Sequence, residues 1–118
     1  MIILPLLKSL FLNNSFLFTG DAEISTEETV LSQNNNLNCD ILKVGHHGSS
    51  TSTSLDFLTS VNPSVAIISV GKNNSYGHPT SELLSLLDYF NIRTIRTDIN
   101  GTIIAISDGK NISISSVK

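Results

Sequence analysis

The chain has 118 residues, of which 40% are apolar and 14% charged, a composition typical of one globular domain rather than a disordered segment. Its net charge of −3 and its seven scattered Lys and Arg residues argue against a free-standing nucleic-acid-binding protein. Cys39 is the only cysteine, which excludes an intramolecular disulfide and a cluster of thiolate metal ligands. Because Leu37 and Ile41 lie close by in the sequence, we predict a buried Cys39 side chain rather than a nucleophile.

The N-terminal segment "MIILPLLKSLFL" is apolar enough to suggest a membrane anchor. Pro5 and Lys8 interrupt it, and it falls well short of the roughly twenty residues that a membrane-spanning helix needs. It also lacks the small-residue cleavage site of a signal peptide. We therefore interpret it as a strand that needs a partner, and we expect a chain without transmembrane segments that stays in the cytoplasm.

Strands and helices alternate through the middle of the chain. Helix-start signals lie at Ser25, which stands three residues before Glu28 in capping-box spacing, and at Thr53, which stands three residues before Asp56. The first of these helices is predicted to run from about 26 to 33. Short apolar runs predict buried strands at 16–19, 41–44 and 65–70.

The C-terminal part of the chain combines one more helix with several strands. Pro79 suits the first turn of a helix, and Leu83, Leu84 and Leu87 follow at helical spacing. Three strands then close the chain, with hairpin-type turns predicted at 100–101 and 108–109. The whole pattern predicts an α/β fold with a mixed sheet and helices on one face.

Three loops at the predicted strand ends carry the unusual residues, and the first is "TGDAE". Gly20 lets the backbone turn sharply after the strand, so the Asp21 carboxylate can emerge at the sheet edge. A carboxylate in that place can bridge two cations, although an aspartate there can also serve only as a helix cap or turn residue.

The second loop is "GHHGSS", with His46 and His47 side by side. Imidazole is a common ligand for zinc-like ions, but adjacent residues on an extended chain point to opposite sides. If one ring reaches a metal ion, the other is expected behind that ligand or on the opposite wall, unless turns at Gly45 and Gly48 bend the loop. The alternative is that neither ring is a metal ligand. Gly48 and Ser49, at a helix start, are candidates to seat a phosphate or simply to cap the helix.

The third loop is "YGHP", and its His78 also precedes a helix start. A histidine there can donate a proton to a leaving group, or it can act as a capping residue. A serine-hydrolase mechanism is disfavoured because the chain contains no G-x-S-x-G motif.

The segments "LFTGDAE", "ILKVGHHGSSTSTSLDFL", "PSVAIISVGKNNSYGHPTSELLSLL" and "IRTIRTDINGTI" together resemble the metallo-β-lactamase-fold domain of the ComEC-type DNA-internalisation competence proteins. The resemblance runs from about residue 13 to about residue 108. It implies an αββα sandwich that holds two zinc or manganese ions between its sheets. It further implies that Asp21 bridges the ions, that His46 or His47 (with a slight preference for His47) binds one of them, and that His78 assists at the scissile phosphodiester of DNA.

The chain departs from this pattern in one respect, because the family's H-x-H-x-D-H signature is absent. We therefore expect 1–118 to be a single domain that corresponds to the C-terminal half of the sandwich, from a parent domain at the membrane or outside the cytoplasm. Three interpretations remain open. The chain is an incomplete and inactive half of a metallo-hydrolase, a half completed by a partner chain or by self-association, or a non-catalytic α/β binding or structural domain.

Overall fold

The computed structural model of the protein describes residues 6–20, 23–33, 36–45, 48–49, 52–72, 74 and 77–117. The strands are β1 (Leu7–Phe11), β2 (Asn14–Phe18), β3 (Ile41–Lys43), β4 (Val65–Ile68), β5 (Arg93–Arg96), β6 (Thr102–Ser107) and β7 (Ile112–Val117). The helices are α1 (Ile24–Ser32), α2 (Leu55–Val61), α3 (Ser81–Tyr89) and the short α4 (Thr97–Asn100). The predicted α/β fold class is confirmed.

The main sheet has five strands in the order β1-β2-β3-β4-β5. Strands β2, β3, β4 and β5 run parallel to one another, whereas β1 pairs antiparallel with β2. The apolar N-terminal segment thus supplies a strand that finds its partner immediately after a tight turn. The predicted strands at 16–19, 41–44 and 65–70 are the three central strands of this mixed sheet; the second and third are shorter than expected, whereas the first begins two residues earlier and ends one residue earlier.

The hydrophobic core lies between this sheet and the three longer helices. Alternate residues of the central strands, among them Leu17, Leu42 and Ala66, point into the core because successive side chains of a strand face opposite sides. Phe57 and Leu58 on α2 are fully buried against them. Cys39 is also buried in this core, as predicted. The helices therefore cover one face of the sheet.

The starts of two helices differ from the sequence-based predictions. Helix α1 begins at Ile24, because the backbone N–H groups of Thr26 and Glu27 both donate to the carbonyl of Glu23 and close the first turn earlier than the predicted capping box. Pro79 lies one residue before the N-cap of α3, and the N-cap is Thr80, whose hydroxyl accepts from the backbone N–H of Leu83.

The start of α2 is shifted by one residue. Its N-cap is Ser54 rather than Thr53, since the Ser54 hydroxyl accepts a hydrogen bond from the backbone N–H of Phe57. Thr53 takes a left-handed conformation with φ of 61° and leads into the helix.

The C-terminal strands form a separate two-stranded antiparallel sheet. Its turn at 108–109 joins β6 to β7, which confirms that hairpin. The hairpin predicted at 100–101 is wrong, because β5 and β6 belong to different sheets and α4 separates them. Thr97 begins this helical turn. Its hydroxyl accepts from the Val70 N–H and donates to the Val70 carbonyl, two residues beyond the end of β4.

A cavity of about 710 Å³ lies between the helix-free face of the main sheet and the β6–β7 hairpin. Phe16, Phe18 and Ile67 line it from the sheet, and Ile103 and Ala105 line it from the hairpin. Phe18 remains 43% exposed there. This face is therefore apolar and only partly covered, in contrast to the face that carries the helices.

Within the described ranges, no helix combines the length and the apolarity needed to cross a membrane.

Candidate functional site

The carboxyl ends of β2, β3 and β4 meet at one edge of the sheet. In the register of these parallel strands, Phe18 pairs with Lys43 and Lys43 pairs with Ile67. Asp21 follows Phe18 by three residues and His46 follows Lys43 by three, so the segments that carry them leave the sheet from neighbouring strands. The loops that contain Asp21 and His46 therefore begin next to each other, at the ends of β2 and β3.

Asp21, His46 and His47 themselves lie outside the described residues, and their roles stay predictions. Among the residues that are described, no three His, Cys, Asp or Glu side chains come together as a metal site.

Thr19 and Gly20 set the direction in which the chain leaves β2. The Thr19 side chain is 2% exposed, and its hydroxyl donates a 2.7 Å hydrogen bond to the carbonyl oxygen of Lys43. Gly20 has a φ of 55°, in the left-handed region that glycine adopts most easily. The first loop is therefore fastened to the end of β3 immediately before the chain turns toward Asp21.

The segment on either side of the histidine pair is closed by hydrogen bonds. The Gly48 N–H donates to the Gly45 carbonyl oxygen at 3.1 Å, and the Ser52 hydroxyl donates to the same oxygen at 3.1 Å. Gly48 and Ser49 are both buried. The Gly48 amide is thus engaged within the loop, and a role for Gly48 or Ser49 in seating a phosphate stays a prediction.

Gly48 also brings the second loop against the third. Its carbonyl oxygen accepts a 3.0 Å hydrogen bond from the backbone N–H of Thr80, the N-cap of α3. A Cβ placed on Gly48 would lie only 2.6 Å from Cβ of Pro79, so the two backbones approach more closely than any other residue would permit. Gly48 of the second loop therefore contacts the segment that follows His78, at the start of α3.

His78 stands at this junction, next to Pro79, and is partly buried. The Asn74 side chain holds its backbone from both sides: His78 N–H donates to Asn74 Oδ1 at 3.0 Å, and Asn74 Nδ2 donates to the His78 carbonyl oxygen at 2.7 Å. Asn74 was not singled out from the sequence, where it is one of many asparagines. An Asn four residues before the histidine is nevertheless suited to such local bonding.

A second residue missed from the sequence is Glu27 on α1, which is 1% exposed. Its carboxylate accepts hydrogen bonds from the backbone N–H groups of Thr53 and Ser54, and the bond from Ser54 measures 2.8 Å. A signal was available, because Glu27 stands three residues before Val30 on the stripe of α1 that faces the core.

The described carboxylates of the C-terminal turns have structural partners. The Arg96 guanidinium donates to both carboxylate oxygens of Asp98, at 3.0 and 2.7 Å, and holds the pKa of that carboxyl below its ordinary value. Backbone N–H groups of Asn111 and Lys110 lower the pKa of Asp108 in the same way.

Burial, together with the nearby Asp40, raises the pKa of the Cys39 thiol to about 12, as suits an inert core residue.

The described part of the chain thus defines a class of protein: a mixed α/β domain with its helices on one face and converging loops at the carboxyl edge of a largely parallel sheet. In α/β sheets this edge is the usual location of a binding or catalytic site.

The sequence comparisons relate the chain to competence proteins. It is 49% identical over 89 residues to ComE operon protein 3 of Bacillus subtilis (strain 168). It is 38% identical over 90 residues to Competence protein ComA of Neisseria gonorrhoeae and 39% identical over 90 residues to Recombination protein 2 of Haemophilus influenzae. These matches take in 75%, 75% and 76% of this chain, but only 12%, 13% and 11% of those proteins. No family model matches the chain.

Over three quarters of its length the chain is therefore homologous to one short segment of much longer proteins, one of which is named a competence protein.

Proposed function

We propose that this chain is the C-terminal half of a metallo-β-lactamase-like domain and that the complete domain hydrolyses phosphodiester bonds during DNA uptake. The observation that carries the proposal is the junction at the carboxyl edge of the sheet. There the segments leading to Asp21 and His46 start from paired strands, and Gly48 contacts the segment that carries His78. The relatives named for competence support the link to DNA uptake.

The residue types of this junction fit part of a metal site. A carboxylate from Asp21 and an imidazole from His46 or His47 are ligands that zinc and manganese accept, and mixed His/Asp ligation suits these ions better than magnesium. In the complete domain two such ions would supply a water molecule activated for attack on the phosphodiester. Asp21 would bridge the ions, and His47 or His46 would bind one.

The other residues of the junction would position and protonate the substrate. His78 would donate a proton to the leaving oxygen, and the two hydrogen bonds between the Asn74 side chain and the His78 backbone support this role by holding that backbone. Gly48 and Ser49 would contact the phosphate from the loop beside it. The close approach of Gly48 to Pro79 fixes the distance between these groups.

The helix-free face of the sheet supports the idea that this chain is half of a sandwich. A layered α/β domain buries both faces of its sheet, but here a cavity of about 710 Å³ remains beneath the β6–β7 hairpin and Phe18 is 43% exposed. A second sheet that carries the H-x-H-x-D-H ligands would cover this face. It would come from the upstream part of the same protein, a partner chain or a second copy.

The proposal is tested by restoring the missing half. The chain is joined to the segment of ComE operon protein 3 that precedes the matched region, and zinc or manganese content and hydrolysis of a fluorescent single-stranded DNA are measured. We expect the isolated chain to be inactive and the joined protein to be active. Asp21→Ala should lower both metal content and rate, whereas the control Asp88→Ala, on the exposed side of α3, should leave both unchanged. Full metal content and rate in Asp21→Ala would refute the mechanism.

A second candidate function, a non-catalytic binding or structural domain, is favoured by one observation. Described hydroxyls of the segment after the histidine pair have structural roles, since Ser52 Oγ donates to the Gly45 carbonyl oxygen and Ser54 caps α2. In such a domain His47→Ala would leave both the metal content and the thermal stability of the joined protein unchanged.

A further inference from the structure

A second cavity lies at the amino edge of the main sheet, at the opposite end of the strands from the candidate site. Its volume is about 280 Å³. The first residues of β3, β4 and β5 line it and are paired across the sheet, so they lie on the same face: Ile41, Val65 and Arg93. The turn between β6 and β7 adds Lys110 and Asn111 from the other side. The proposed mechanism uses none of these residues.

The lining of this cavity contains two cationic side chains, Arg93 from the main sheet and Lys110 from the turn. Both residues are exposed, and among the described residues neither forms an ion pair with a carboxylate. Asp40 also lines the cavity, but its Oδ2 already accepts a 2.8 Å hydrogen bond from the Ser15 N–H. The described lining therefore carries more positive than negative charge, although the whole chain has a net charge of −3.

Hydrogen bonds hold the polar walls of the cavity in place. The Asp40 carbonyl oxygen accepts from the Ser64 N–H at 2.9 Å, and the Ser64 carbonyl oxygen accepts from the Arg93 N–H at 3.1 Å. On the opposite wall, the buried Asn14 side chain donates to the Lys110 carbonyl oxygen at 3.4 Å. The backbones that carry the charged side chains are therefore positioned before a ligand arrives, which lowers the ordering cost of binding.

The residue types of the lining fit a phosphate ester. An arginine guanidinium binds two phosphate oxygens through parallel N–H groups, and a lysine ammonium adds a point charge. Val65, Ile112 and Ile114 place aliphatic surface in the same cavity, where an organic group can pack. Since a water molecule occupies about 30 Å³ in the liquid, the cavity has room for considerably more than a bare phosphate ion. Oδ1 of Asp40 can accept from a hydroxyl or amino group and disfavours a second anion nearby.

We propose that this cavity binds the phosphate group of a nucleotide, with the phosphate on Arg93 and Lys110 and the sugar and base along the aliphatic wall. The phosphate assignment follows from the cavity alone. The choice of a nucleotide rests on the proposed function, because hydrolysis of a phosphodiester in DNA leaves a phosphate monoester on one product. Both a free nucleotide and the end of a strand present this group.

The test is a titration of the full chain in the presence of a metal chelator, followed by backbone amide NMR. Deoxyadenosine monophosphate is compared with deoxyadenosine, with inorganic phosphate and with a short single-stranded DNA that carries a terminal phosphate. Arg93→Gln and Lys110→Gln each remove one cation from the cavity, whereas the control Lys72→Gln removes an exposed cation that does not line it. Circular dichroism establishes that each variant is folded.

We expect the monophosphate to shift the amide resonances of Arg93, Lys110 and Asn111. Its affinity should fall about tenfold in Arg93→Gln and in Lys110→Gln, because each variant loses a charge-assisted contact, and should stay unchanged in Lys72→Gln. If the phosphorylated strand also binds, the end of a strand is a source of the phosphate, whereas binding of the monophosphate alone supports a free nucleotide.

Three results would overturn the inference: no shifts at these amides in the wild type, equal affinity for deoxyadenosine, or an equal loss in Lys72→Gln. If inorganic phosphate binds as tightly as the monophosphate, the nucleotide assignment is overturned. Because the chelator removes metal ions, inactivity of the joined protein described above would leave these results intact, and the two proposals fail separately.

Discussion

Replacing Gly48 by alanine tests the junction between the two histidine-bearing loops. Gly48 has a φ of 83°, and its added Cβ would lie 2.6 Å from Cβ and 3.0 Å from Cα of Pro79. The left-handed backbone costs an alanine about 1–2 kcal/mol. Displacing a packed neighbour adds about 1–3 kcal/mol, because Cα of Pro79 is backbone and cannot rotate away. We therefore expect Gly48→Ala to lower the free energy of unfolding by about 2–5 kcal/mol.

Two other glycines separate these contributions. Gly77 has a φ of 70° but no atom of the described residues within 4 Å of an added Cβ, so Gly77→Ala should incur only the backbone cost of about 1–2 kcal/mol. Gly71 has no left-handed φ, and no described neighbour lies within 4 Å of its added Cβ, so Gly71→Ala should be close to neutral. Urea unfolding followed by circular dichroism gives all three values. Equal losses for Gly48→Ala and Gly77→Ala would show that the contact with Pro79 is not tight and would refute the reasoning.

Further expectations concern the core, the thiol and the acid range. Phe57→Ala, at a fully buried site, should cost about 3–5 kcal/mol in urea unfolding, while Leu55→Ala, at a side chain 54% exposed, should cost far less. Cys39 has a thiol pKa of about 12, so a thiol reagent at pH 8 should modify it only after urea unfolding, and rapid labelling of the folded chain would contradict this. Because the unfolded thiol ionises at lower pH than the folded one, stability should fall as the pH rises above 9.0, but not in Cys39→Ala. Arg96 lowers the pKa of Asp98, so this pair stabilises the fold above the ordinary carboxyl pKa of 3.8. Its contribution to the free energy of unfolding is lost as the pH falls through the lowered pKa. Acid unfolding of Asp98→Asn should lack this pH-dependent loss.

Much of the fold follows from local patterns in the sequence. The central strands carry short apolar runs, and Leu83 and Leu87 mark the buried stripe of α3. Since parallel strands end at the same sheet edge, the meeting of the loops that follow them is also predictable.

The sequence-based predictions fail where contacts between distant residues decide the local structure. The pair at 100–101 has the composition of a hairpin turn, yet Thr97 bonds to Val70 and the Asn100 side chain accepts from the Arg96 N–H, which close a helical turn instead. The core-facing stripe of α1 could have marked Glu27 as buried, but its partners are backbone N–H groups 26 and 27 positions away, and the stripe does not identify them.

For Asp21 and the histidine pair, the sequence predicts only that the segments leading to them leave the ends of neighbouring strands. Which of the two imidazoles would bind a metal ion stays a prediction, because His46 and His47 lie outside the described residues. The hydrogen bond from the Gly48 N–H to the Gly45 carbonyl oxygen does not distinguish one ring from the other.

The two hairpins at the ends of the chain are tied together, and this has a consequence for folding kinetics. The buried Asn14 side chain accepts from the Ser107 hydroxyl at 2.6 Å and donates to the Lys110 carbonyl, so it joins residues 93 and 96 positions apart. Such contacts form only after a long loop has closed, and chains dominated by them fold slowly. A nascent chain that ends before Ser107 therefore lacks both partners of the Asn14 amide, and this link between the two hairpins forms only when the C-terminal hairpin is present.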